Sequence, residues 1–258
     1  VKLVASLMVG PGELIRYLDL CMTTLLLCCD EVVARAEENL EADWLAKLPG
    51  VTVVRAEAPM FEHEGRARQQ LLDATLERDP THVLTIDADE LIGDGAKLRE
   101  EVERSGAHVF TARMLEVWKA FDECLCVRVD GGWNPHPVTA VWQVPPGAHL
   151  RIADKQLASG REPTLVRQLS RRSVQLDSDV FHFGWTNVAD RAARMHRYQL
   201  TDGGRFHARA HLDSIGWPDD RVEMAWTEWP DDLAALREPI LERARRRAKK
   251  AALASDVR

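Results

Sequence analysis

The first ninety residues alternate between short runs of aliphatic and β-branched residues and longer stretches whose apolar positions recur at helical spacing. Residues 1–9 (VKLVASLMV) read as a buried strand closed by Gly10-Pro11-Gly12. Leu14, Leu18, Met22 and Leu25 then fall on one helical face, and a second strand begins at Asp30-Glu31. A third short strand is expected at Val51-Thr52-Val53-Val54. An amphipathic helix over residues 65–78, with Ala67, Leu71, Leu72 and Leu76 inward, leads through Asp79-Pro80 into a fourth strand, Val83-Leu84-Thr85-Ile86. This order predicts an α/β fold with a mostly parallel central sheet flanked by helices. Such sheets take ligands outside the carboxyl ends of their strands. Gly10-Pro11-Gly12, residues 34–38 and Asp87-Ala88-Asp89 would all lie along that edge.

After Gly93 the pattern changes. A helix near residues 96–104 is followed by strand-like stretches at 108–113, 125–130 and 138–144, and helices return after Trp185. The division that follows is a nucleotide-binding half at 1–95, an elaborating half at 96–200 sharing its core, and a helical C-terminal extension at 201–258.

The fourth strand ends in Asp87-Ala88-Asp89-Glu90, three carboxylates in four residues. Neighbouring carboxylates repel and are costly to desolvate, so the cluster calls for a cation or a solvated site. In a strand, residues i and i+2 face the same way, which aims Asp87 and Asp89 at one ligand. Two hard oxygen donors with room for water and phosphate suit Mg²⁺ or Mn²⁺ shared with a diphosphate. A solvated strand end capping the next helix is the plainer alternative.

The initial strand, the basic helix start Gly65-Arg66-Ala67-Arg68-Gln69-Gln70 and Ile86-Asp87-Ala88-Asp89-Glu90, in that order, closely resemble the GT-A glycosyltransferases, in particular family 2-like enzymes. Val180-Phe181-His182-Phe183-Gly184-Trp185, trailed by Arg191, Arg194, Arg197 and Tyr198, looks like the family's His-x-Gly-Trp segment. The resemblance spans roughly residues 1–200 and would make 96–200 the acceptor-side half. It implies a GT-A, nucleotide-diphospho-sugar transferase fold, and a metal-dependent hexosyltransferase moving a sugar from a nucleotide-diphosphate donor, such as a UDP or GDP sugar, to a hydroxyl acceptor. It places Asp87 near the ribose or the metal, Asp89 on the metal bridging the two phosphates, and His182 as a further ligand from across the cleft. Arg66 and Arg68 would contact the nucleotide or its phosphates, and Glu37 or Glu38 the base. Arg191, Arg194 and Arg197, at i, i+3 and i+6, would share one broad helical face that either stabilises a leaving diphosphate or is a solvated surface. Relatives carry an Asn-Glu pair after strand one and an Asp-rich turn after strand two. This chain has Gly12-Glu13 and Arg35-Ala36-Glu37-Glu38 there.

An inverting transfer needs a carboxylate general base near the acceptor. Asp130 and Asp154 are both candidates, and the stereochemical outcome stays open. Trp133 lies between Gly131-Gly132 and Asn134-Pro135, flanks that predict an exposed loop with a ring available to stack on a sugar.

The net charge of −7 gives no global footprint for nucleic acid, so such a partner must meet a local patch. The terminal stretch supplies one, with Arg243, Arg245, Arg246, Arg247, Lys249 and Lys250 beside an apolar stripe of Leu233, Leu236, Ile240, Leu241 and Ala244. Together with the resemblance, that basic helix admits nucleic acid as acceptor, for instance a modified base in phage DNA; it equally suits a solvated helix end complementing the dipole. Five cysteines without CxxC spacing predict reduced thiols in a cytoplasmic protein. Residues 14–29, the longest apolar stretch, are interrupted by Arg16 and Asp19 and predict neither a transmembrane segment nor a signal peptide. Competing readings are a nucleotidyltransferase, which lacks a glycine-rich phosphate loop here, a non-catalytic nucleic-acid-binding protein, and a zinc hydrolase built on His207-x-x-x-His211, which lacks the glutamate of HExxH.

Overall fold

The computed structural model describes residues 1–157, 159–201 and 209–245. Its elements are β1 (Leu3–Val9), α1 (Leu18–Cys28), β2 (Glu31–Ala36), α2 (Asn39–Leu45), β3 (Val51–Arg55), α3 (Glu64–Leu76), β4 (His82–Asp87), β5 (Glu90–Ile92) and α4 (Gly95–Ser105). They continue with β6 (Val109–Ala120), β7 (Leu125–Arg128), β8 (His136–Gln143), α5 (Thr164–Leu169), β9 (Val174–Gln175), β10 (Val180–His182), α6 (Val188–Thr201), α7 (Arg209–Ser214), β11 (Met224–Thr227) and α8 (Asp231–Ala235). A further helix covers residues 237–245.

The α/β class expected from the sequence is observed, with one curled sheet flanked by helices. The strand order is β11-β7-β6-β8-β4-β1-β2-β3. The pairs β3-β2, β2-β1 and β1-β4 are parallel, which is the half that the early alternation predicts. Beyond β4 the pairing turns antiparallel through β8, β6, β7 and β11, while β10 lies parallel to β6 and antiparallel to β5. Because β8 pairs with both β4 and β6, residues 1–95 and 96–200 share one sheet.

Every residue of β1 is buried, as a strand covered on both faces requires. Leu3, Ala5, Leu7 and Val9 pack with Leu18, Met22 and Leu25 of α1 and Leu98 of α4. Val4 and Met8 face the other way, against Ala67 and Leu71 of α3. The period of two along the strand thus sends alternate side chains to two helix layers. A third cluster joins Tyr17 and Leu20 to Leu233 and Ile240, seating α8 and the helix at 237–245 against the start of α1.

Trp133 corrects its expectation: it is buried, its indole edge-on to Trp118 and Trp185 and stacked on His211. Gly131, Gly132 and Asn134 are exposed, so the loop is as expected and only its indole turns inward; a Cβ on Gly132 would lie 3.0 Å from the His211 ring. His207 lies outside the described residues, as do Arg246, Arg247, Lys249 and Lys250 of the basic tail. Of the tail's remaining cations, Arg243 is tied to Asp19 and Arg245 to Asp122. Among the described residues, no helix is long and apolar enough to cross a membrane.

Candidate active site

A cleft of about 350 Å³ opens at the carboxyl ends of β1 and β4. Met8, Gly10, Pro11 and Glu13 form one wall; Asp87, Ala88 and Asp89 form the floor. Arg68 and Glu64 of α3, Arg161 with Gly160 and Leu157, and Arg194, Arg197 and Tyr198 of α6 close the remaining sides. Four arginines therefore line one cleft of an acidic chain.

Asp87 is the last residue of β4, and the chain turns immediately afterwards. The turn separates the two aspartates. Asp87 accepts from Arg68 through Nη1 at 3.3 Å and Nη2 at 3.4 Å, and lies 3.2 Å from Arg161 Nη2. Burial favours its neutral form, but Arg161 and Arg68 outweigh it and hold its carboxyl below the usual range. Behind it, Glu90 accepts the Asp87 backbone N–H at 3.0 Å and takes Arg161 Nη1 at 2.6 Å. Glu90 is itself buried, which pushes its carboxyl upward despite Arg161.

Asp89 faces the opposite wall, where it pairs with Arg194 and lies 3.4 Å from His182 Nε2. Burial again opposes the charge, and Arg194 and His182 prevail, holding Asp89 well below the ordinary carboxylate range. Strand register places Glu116 of β6 directly beside His182 of β10. Glu116 Oε2 lies 2.6 Å from His182 Nδ1, and the Trp185 ring packs edge-on against the imidazole. Burial would discharge His182, yet Glu116 and Asp89 raise it well above its usual range.

Glu13 lies in the cleft wall with Oε1 on Arg16 Nη1 at 2.7 Å. Its Oε2 is buried with no hydrogen-bond partner among the described residues. Burial, reinforced by the charge of Asp89, pushes its carboxyl up to about 7. Opposite, the Phe61 ring sits 4.4 Å under the Arg197 guanidinium at the mouth of the cleft.

The residues singled out from the sequence divide accordingly. Arg68, Arg194, Arg197, Asp87 and Asp89 line the cleft, with His182 just behind Asp89. Glu37 does not face it; its Oε1 accepts the Met60 N–H at 2.6 Å and so fixes the segment that carries Phe61. Arg66 is exposed on α3 and outside the cleft lining. Arg191 points away, buried over the Trp118 ring and bonded to Asp219 at 3.0 Å. Asp130 holds the buried Arg128, with Arg128 Nη2 at 3.0 Å, and Asp154 is 77% exposed beside His63; neither lines the cleft. Sequence reasoning missed Glu13, Glu116 and Arg161 as contributors. Only Glu13 had a local signal, since it follows the Gly-Pro-Gly that ends β1.

Among the described residues, no group of three or more His, Cys, Asp or Glu side chains is arranged to hold a metal ion. Two of the three expected donors do converge, Asp89 Oδ2 and His182 Nε2. A carboxylate on the far imidazole nitrogen, as Glu116 supplies, is how metal-binding histidines are oriented. Once His182 Nε2 has released its proton, the pair fits a hard or borderline divalent cation that takes its remaining ligands from water and phosphate. Asp87, occupied by two arginines, does not join it.

No family model matches the chain, and no curated protein matches it. Among solved structures, residues 1–349 of S. aureus TarS are similar at 17% identity, with 84% of this chain and 69% of that chain covered and a TM-score of 0.43. The same fragment in complex with UDP matches at 14% identity over 84% and 70%, also with a TM-score of 0.43. A cytidylyltransferase from Leptospira borgpetersenii serovar Hardjo-bovis (strain JB197) is similar at 19% identity over 43% of this chain and 54% of that one, with a TM-score of 0.33.

Proposed function

We propose that the chain is a GT-A-type glycosyltransferase that moves a sugar from a nucleotide-diphosphate donor to a hydroxyl acceptor. The observation that carries this reading is the cleft at the ends of β1 and β4, where Arg68, Arg161, Arg194 and Arg197 converge around Asp87 and Asp89. A concentration of guanidinium groups in a chain of net charge −7 is suited to a polyanion of small size. The strand-end location is where α/β sheets hold nucleotides.

Glycosyl transfer develops oxocarbenium character on the sugar and negative charge on the departing diphosphate. Charge stabilisation at that leaving group is the larger need. Arg68, held by Asp87 and by Glu64 at 2.8 Å, presents a fixed guanidinium to the phosphates. Arg161, held by Glu90, presents a second beside it. Asp89 and His182 would hold Mg²⁺ or Mn²⁺, which when bound offsets charge on the leaving diphosphate. Phe61, fixed through Glu37, offers a ring face to the base. Both parts of the chain thus serve the donor, Arg68 and Asp89 from residues 1–95 and Arg161 and His182 from residues 96–200.

The test is a thermal-shift screen of UDP, GDP and their sugar derivatives, with and without Mn²⁺, on the wild type and Asp89→Ala. A ligand bound only to the native state raises the melting temperature by mass action. Stabilisation by one nucleotide that requires both the metal and Asp89 supports the reading. Absence of any nucleotide-dependent shift in the wild type overturns it.

A further inference from the structure

Arg194 occupies the carboxylate that the proposed cation needs. It reaches Asp89 from α6, across the cleft, and contacts the same Oδ2 that lies 3.4 Å from His182 Nε2. Its guanidinium lies 4.9 Å from the centre of the Trp185 ring. Gly184 makes the approach possible, since a Cβ there would lie 2.5 Å from Arg194 Nη2 and 2.6 Å from Asp89 Oδ2. The placement still leaves Arg194 Nε buried with no hydrogen-bond partner among the described residues. A buried guanidinium N–H without an acceptor is costly, and a phosphate oxygen in the cleft would supply one.

Resting on the glycosyltransferase reading, we propose that Arg194 is a diphosphate-binding residue that waits on Asp89 in the free protein, and that a divalent cation displaces it from there towards the phosphates. One carboxylate oxygen that already serves His182 cannot hold a guanidinium and a divalent cation together, because the two cations repel at contact distance. Arg194 therefore competes with the metal when the cleft is empty and cooperates with the nucleotide when it is full. Its neighbour Arg197 sits on the same cleft wall, over Phe61, and does not touch Asp89 in this way. The two arginines of α6 thus have separable roles.

Competition and cooperation give opposite signs for one substitution. Mn²⁺ binding is titrated by the loss of the free-ion electron paramagnetic resonance signal, first on the protein alone. UDP binding is then measured by calorimetry at saturating Mn²⁺. In Arg194→Gln, Mn²⁺ alone is expected to bind about 10-fold tighter and UDP about 10-fold weaker than in the wild type, because one neighbouring positive charge is removed. Arg194→Lys, which keeps the charge on a stem without the planar fork, should shift both in the same directions by less. Asp89→Asn should lose Mn²⁺ binding whether or not Arg194 is present. Mn²⁺ affinity that stays unchanged or falls in both Arg194 variants, while the wild type binds Mn²⁺ and UDP, overturns the displacement and leaves the glycosyltransferase reading standing. A wild type that binds neither overturns both.

Discussion

Glu116 Oε2 and His182 Nδ1 are 2.6 Å apart on paired strands, which makes the imidazole the middle of a buried chain running from Glu116 through His182 to Asp89. Two carboxylates and one charged ring at this depth stabilise the fold only while the carboxylates stay ionised and the ring stays protonated. Removing one partner leaves an uncompensated charge.

Glu116→Gln should therefore destabilise the metal-free protein by about 2–4 kcal/mol. The pH dependence follows from the direction of each shift. His182 is raised, so its contribution is complete below its ordinary value of 6.5 and fades as pH rises through its folded value. Glu116 is lowered, against its burial, chiefly by His182, so its contribution is complete above 4.5 and fades as pH falls. The gap between wild type and variant should be widest between those two values and narrow in alkali. Urea unfolding in the presence of EDTA at pH 5.5 and pH 9 would show it, and a gap independent of pH would rule it out.

Glu13 has the opposite linkage. Its carboxyl is pushed from 4.5 to about 7 by burial and by Asp89, so the native state holds a proton that the unfolded chain has already lost. Stability tied to this group is present at low pH and is lost as pH rises through about 7. Glu13→Gln, which fixes the neutral form, should match the wild type near pH 4.5 and exceed it progressively up to pH 8, by at most about 3 kcal/mol. Parallel stability curves for the two proteins across that range would refute the assignment.

How much of this site was visible in the sequence depends on whether a residue's partner lies close in the chain or belongs to a periodic element. Asp87 and Asp89 announced themselves because an apolar strand cannot end in carboxylates without a reason. Arg68 was legible because α3 is amphipathic and precedes that strand. What the strand argument could not supply is the turn after Asp87, which sends the two aspartates to opposite walls. Arg161 sits in an aperiodic stretch 71 residues from Glu90, so nothing local ties it to the cleft. Glu116 was hidden because a lone polar residue in a strand has no signature until the partner strand is known. Trp133 was misread because glycine and proline mark an exposed loop without saying which way a ring within it turns.

The stretch bearing Arg161 is fastened to the first turn of α3. Glu64 N–H donates to Gln156 O at 2.8 Å and Gly65 N–H to Lys155 O at 2.9 Å. A Cβ on Gly65 would stand 2.4 Å from the Ala153 carbonyl oxygen and 2.8 Å from Lys155 N, both backbone atoms with no rotamer to yield. Gly65→Ala should cost about 2–3 kcal/mol by forcing the two segments apart. The same displacement should weaken UDP binding by moving Arg161, so denaturation and calorimetry on one variant must agree. An alanine variant as stable as the wild type would contradict the packing.

Asp130 and Asp154 are the two carboxylates outside the cleft that sequence reasoning put forward as the base. Asp154→Asn, at a largely exposed position, should leave stability within about 0.5 kcal/mol of wild type. Asp130→Asn, which takes the counter-charge from a fully buried Arg128, should be strongly destabilising. Neither lines the cleft, so under the proposed function Asp154→Asn should retain full donor turnover. A hundredfold loss in that variant without a change in UDP affinity would restore Asp154 as the base.

Arg161 and Glu90 supply the sharpest energetic test because each is partly justified by the other. Burial opposes the charge on both, yet Arg161 is raised by Asp87 and Glu90, whereas Glu90 remains raised even beside Arg161. The geometry favours a real ion pair, since Arg161 Nη1 lies 2.6 Å from Glu90 Oε2 and Nη2 contacts the other oxygen. Arg161→Ala strands Glu90, whereas Glu90→Gln leaves Arg161 its contact with Asp87 at 3.2 Å. The arginine variant should therefore be the more damaging of the two. The double variant should be less damaging than the sum of the singles, with a coupling of about 1–3 kcal/mol. Additive losses would mean that Glu90 is held neutral by burial and that Arg161 is fixed by Asp87 alone. In that case Glu90→Gln should be nearly silent in both stability and UDP binding, which the same double-mutant cycle measures directly.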